Sequence, residues 1–166
     1  MKSRTLVTIG ASASALAVTA TLAGFGASPA SAITTKEAVK VAYARCGNTY
    51  VIQNEKHSKL LLDGVVYGTF VVFTKRFDDL SATTCNVIVP ADKIKGKRHT
   101  LYQQGELLRS DGKIEEFAHK GVRYSGTFTS HTHFEFGTDV HIAAQSTVPG
   151  TKERAKSGVL VIENTD

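Results

Sequence analysis

The stretch VRYSGTFTSHTHFEF, residues Val122–Phe136, decides the fold. Val122, Tyr124, Phe128, Phe134 and Phe136 fall to one side, and Arg123, Ser125, Thr127, Thr129, His131, His133 and Glu135 to the other. Period two is the signature of a β-strand with one buried and one solvated face. The stretch is long for a single strand, so a break or bulge is expected near Gly126 or Ser130.

Outward from it, strands alternate with turns. Leu101–Leu108 reads as a strand, and Ser110-Asp111-Gly112-Lys113 as a hairpin turn with Gly112 at positive φ. Ile114–Phe117 returns, and His119-Lys120-Gly121 reads as a second turn. Downstream, Gly137-Thr138-Asp139 would close a hairpin onto Val140–Thr147, and Val159–Glu163 would finish the sheet. Upstream, Val65–Phe73 (VVYGTFVVF) is apolar on both faces, as in a central strand covered on both sides. Cys85, Val87 and Val89 alternate toward one face until Pro90 ends that strand, and Tyr50–Gln53 is a further β-rich run. Only one helix is expected. Thr34 and Glu37 form a capping box, Ala38, Val39, Ala42 and Tyr43 make a face, and Gly47 stops it after Arg45. The expected fold is mainly β: an antiparallel β-sandwich or barrel with a short N-terminal helix, in a single domain over 33–166.

Residues 1–32 read as a signal peptide. Lys2 and Arg4 precede an uncharged, small and apolar run from Leu6 to Phe25, and Ala30 and Ala32 occupy the positions a signal peptidase reads. Cleavage after Ala32 leaves a chain with 18 basic and 15 acidic residues, a balance of +3 once Lys2 and Arg4 are removed. That charge is too mild for a dedicated nucleic-acid binder. No apolar run has the length and purity of a membrane span. Cys46 and Cys85, the only two cysteines, would form one disulfide in an oxidising compartment. The expected localisation is secreted, either extracellular or on a spore surface.

Cys46-Gly47-Asn48-Thr49-Tyr50-Val51-Ile52, with Gly64-Val65-Val66-Tyr67 and Cys85-Asn86-Val87-Ile88-Val89, resembles the spore-associated proteins of filamentous sporulating bacteria. The match covers residues 46–89, without the second cysteine pair of that family's C-terminal half. The resemblance implies an exported cell- or spore-surface protein with no catalytic role, its cysteines a structural staple.

Three constellations could carry chemistry. His131, His133 and Glu135 share a strand face, and a three-residue turn would set Glu135 opposite His141 while burying both Phe134 and Ile142. Imidazoles with a carboxylate suit Zn or Cu, although a solvated sheet face with no metal or other cofactor is the expectation. Lys93, Lys95, Lys97 and Arg98 form a basic loop able to grip an anionic partner such as wall teichoic acid, nucleic acid or a phospholipid surface. Finally, Glu135, Arg123, His133 and His141 supply the groups of a small microbial ribonuclease. There is no Gly-x-Ser-x-Gly elbow, and the loop Val148-Pro149-Gly150 could serve an inhibitor or lectin-like binder. The expected function is a non-catalytic secreted protein associated with cell-wall or spore-surface components. The alternatives are a small secreted hydrolase acting on phosphodiesters and a metal- or ligand-binding secreted β-domain.

Overall fold

The computed structural model describes residues 33–47, 50, 54–77, 81–123, 126–135 and 137–163; the proposed signal peptide lies outside them. Helix α1 (Thr35–Cys46) is followed by β1 (Glu55–Leu62), β2 (Val65–Phe77), β3 (Ser81–Pro90), β4 (His99–Leu108) and β5 (Ile114–Arg123). Then come β6 (Phe128–Glu135), β7 (Asp139–Thr147), β8 (Arg154–Lys156) and β9 (Leu160–Ile162). Every pairing is antiparallel, in the order β5-β4-β7-β8-β1-β2-β3-β6, with β9 also on β7. The sheet is nearly closed and barrel-like.

The barrel has two halves and two seams. At the first seam, β1 meets β8 through the ladder pair Leu61–Lys156. Beyond it side chains take over: Lys56 Nζ donates to the Val161 carbonyl, and the Gly158 amide donates to Ser58 Oγ at 2.9 Å. At the second, between β5 and β6, Gly121 lies against the Phe128 ring, where an added Cβ would come within 2.6 Å. Gln103 of β4 reaches across the interior there. Its amide nitrogen donates to the Asn86 carbonyl at 3.0 Å, and it accepts from Ser130 Oγ. Asn86 in turn donates to Thr132 Oγ1 at 3.0 Å.

Two cores follow from the alternation. Leu60, Phe70, Val72, Ile88, Leu101, Phe134 and Ile142 fill the interior. Val71, Phe73, Cys85, Val87 and Val89 point the other way, under α1. This is the covering on both faces that the apolar run of β2 requires. Ala38 and Ala42 bring the helix down onto the strands, and Tyr43 meets Phe73 edge-on at 5.7 Å. The capping box forms, with Thr34 Oγ1 accepting from the Glu37 amide and the Glu37 carboxylate accepting from the Thr34 amide. Cys46, the last helical residue, is bonded to Cys85 with the Cα atoms 5.9 Å apart.

Several expectations are corrected. His119-Lys120-Gly121 is not a turn, since β5 runs straight through it and Gly121 serves close approach to Phe128. The expected break does fall at Gly126 (φ 86°), between β5 and β6, while Ser130 lies within β6. β1 and β8 have no counterpart among the strands expected from the sequence. Tyr50 is buried outside any strand, and residues 51–53 lie outside the described residues. Most consequentially, β6 and β7 are not ladder partners. β6 pairs with β3, placing Glu135 opposite Ser81, whereas His141 of β7 lies between Glu106 of β4 and Val161 of β9. Phe134 and Ile142 are both buried all the same.

Candidate functional site

His131, His133 and Glu135 are exposed on the outer face of β6, while Thr132 and Phe134 point inward. His131 stands beside Tyr50 with ring centroids 6.4 Å apart, and partial burial followed by the His133 charge holds its pKa below the ordinary value. His133 Nδ1 is 2.6 Å from Thr83 Oγ1. Glu135 lies 3.8 Å from Arg109, which bonds Glu115 at 2.9 Å. His133, Glu135, Arg109 and Ser81 line a hollow of about 250 Å³. His141 belongs to a different part of the sheet. No three His, Cys, Asp or Glu side chains among the described residues are placed to hold a metal ion.

The ribonuclease-like set is likewise dispersed. Arg123 pairs with His99 at one end of β4, while Glu135 meets Arg109 just past its other end. At about 3.3 Å per residue, the two ends of that strand are roughly 30 Å apart.

The basic loop is built firmly. Ile94 and His99 are 1% and 2% exposed and anchor it at both ends. Turn bonds Ile94 N to Ala91 O and Lys97 N to Ile94 O tie its backbone, and His99 Nδ1 lies 2.6 Å from the Lys97 carbonyl. Lys95 is paired with Asp92 at 2.6 Å, and Lys93 stands over the Tyr67 ring at 5.1 Å. Lys97 and Arg98 are exposed and have no ion-pair partner among the described residues.

A larger feature lies on the outer face of β5, β4 and β7. Helix α1 covers the outer face of β2 and β3. The opposite half instead carries an open groove of about 630 Å³, lined by Gln104, Glu106, Glu116, Ala118, His141 and Val159 among others. The ladders order this face in rows. Lys120, Tyr102, Gln145 and Lys156 form one, and Ala118, Gln104 and Ala143 the next along the strand in register. Glu116, Glu106, His141 and Val161 form a third. Tyr102 lies between two cations, with Arg154 4.6 Å and Lys120 5.8 Å from its ring centre. Glu106 and Glu116 stand directly opposite each other, an unfavourable like-charge pairing, and neither has an ion-pair partner among the described residues.

The sequence reading missed this face, although a signal was present. The turn at Ser110–Lys113 fixes the hairpin register and hence the pairing of Glu106 with Glu116. A turn at His119–Gly121 would end β5 before Lys120, so the row of Lys120 and Tyr102 is visible only once β5 continues to Arg123. No protein-family model matches the chain, and no curated protein matches it.

Proposed function

We propose that the protein is an exported, non-catalytic β-domain of the cell or spore surface that binds anionic polymer through its basic loop. The observation that carries this reading is the pinned loop before β4. Lys93, Lys97 and Arg98 are displayed from a backbone held by Ile94 and His99 and lack carboxylate partners among the described residues. A preorganised cationic loop loses little conformational freedom on binding, so its charges act with small entropic cost. The apolar charge-free run before Ala32, the resemblance over residues 46–89 and the Cys46–Cys85 bond support export.

The purified protein should be retained at low salt on beads carrying a poly(glycerol phosphate), and released as salt screens the contact. Lys97→Glu with Arg98→Glu should lower retention at least tenfold and leave the fold intact. Absence of retention at low salt, or equal retention of the reversed-charge protein, would overturn the reading. Fractionating cells, walls, spores and medium with an antibody tests the location, and recovery only from cytosol refutes export.

A further inference from the structure

We infer that the bare outer face of β4, β5 and β7 pairs with the same face of a second copy of this chain, about a two-fold axis lying across the strands. The proposal goes beyond polymer binding and uses other residues. The face is self-complementary because its charges are segregated along the strands. Lys120 and Lys156 lie in the Tyr102 row, and Arg154 one row further out opposite Thr147. Glu116 and Glu106 lie in the His141 row, and exposed Glu163 follows β9 past Ile162 at that same end.

Between the two charged rows runs the row of Ala118, Gln104 and Ala143, where the two alanines leave room for another surface to approach and Gln104 offers an amide to meet it. An axis along this row exchanges the charged rows of the two copies. Glu116 of each then faces Lys120 of the other, and Glu163 faces Arg154. The Tyr102 ring of each copy enters the other's groove beside Glu106 and His141, while Gln104 meets its own symmetry mate on the axis. The strands of the two copies run in opposite directions, in the aligned sheet-on-sheet manner. The opposed carboxylates Glu106 and Glu116 are unfavourable in the single chain and gain cationic and phenolic partners in the pair. Three strands of nine or ten residues, with the short β8 and β9 together filling the next position beside β7, span roughly 19 by 30 Å, which belongs to a weak, salt-sensitive association.

The experiment is sedimentation equilibrium of the purified protein and two exposed-site variants, Glu116→Lys and Lys120→Glu, with circular dichroism to verify folding. The unaltered protein should form dimers at low salt and dissociate in high salt. Each variant alone places like charges at both copies of the contact and should remain monomeric. An equimolar mixture of the two variants should dimerise again, because both contacts are then between opposite charges. A monomeric unaltered protein at low salt, variants that pair as well as it does, or a mixture that stays monomeric would overturn the proposal. Polymer retention is read separately through Lys97 and Arg98, so either proposal can fail without the other.

Discussion

Reducing the Cys46–Cys85 bond should destabilise the protein by about 4 kcal/mol, and the damage should begin at the helix. The bond joins residues 39 apart in sequence, and the chain-entropy account assigns a closed loop of that size roughly 4 kcal/mol. Helix α1 has 12 residues, a length that is marginal in isolation. Its packing against the strands relies on Ala38 and Ala42 with Tyr43 on Phe73, a small apolar contact for a helix. Cys46 pins its last turn to β3, so without the bond α1 should fray first and expose Val71, Phe73 and Val87. Urea unfolding of Cys46→Ser/Cys85→Ser against the oxidised protein gives the free energy, and amide exchange gives the location. A difference below about 1 kcal/mol, or undiminished protection of residues 38–46 in the variant, would refute the reasoning.

Gly105→Ala should cost about 2 kcal/mol or more by urea unfolding, because the new Cβ would lie 2.2 Å from the His141 carbonyl oxygen and 2.7 Å from the Phe117 ring. Thr34→Ala removes the helix cap and should cost about 1 kcal/mol, with faster amide exchange at Glu37 as its marker. The His131 pKa is depressed below 6.5 by partial burial and, secondarily, by His133, so the unfolded chain takes up that proton more readily. The resulting stability contribution is complete above pH 6.5 and is lost as pH falls through the lowered folded value, so His131→Gln should flatten the acid limb of a stability–pH curve.

Local patterns were legible where one short stretch carried its own information. The capping box, the two-faced apolar run of β2, the Cys85–Val89 alternation and the Gly112 turn all appear at their expected places. β1 has no period-two signature, because Leu60 is its only buried residue, Glu55–Lys59 is polar throughout, and its apolar residues fall together at the end as Leu60-Leu61-Leu62. The β6–β7 hairpin failed for a different reason. Burial of Phe134 and Ile142 is satisfied equally when the two strands face each other across the interior, so burial could not distinguish neighbours in the sheet from partners across the core. The face bearing Glu106, Lys120 and Arg154 depends on pairings of β7 with β4 and β8, which no single stretch encodes.

The pairing of β3 with β6 has a consequence for how the chain must be made. Nine of the ten residues of β3 are buried, and residues 55–90 can fold on themselves through the β1–β2 and β2–β3 hairpins as soon as they emerge. The strand that covers the remaining edge of β3 arrives much later, since Asn86 waits for Ser130, 44 residues on. During that interval the N-terminal portion exposes a long apolar edge, a template on which another nascent chain could add a strand. Closure through a distant strand also slows folding, because the intervening loop must be ordered before its contacts form. The vulnerable species is therefore a partly emerged chain, in which residues 55–90 are free while β6 has yet to arrive.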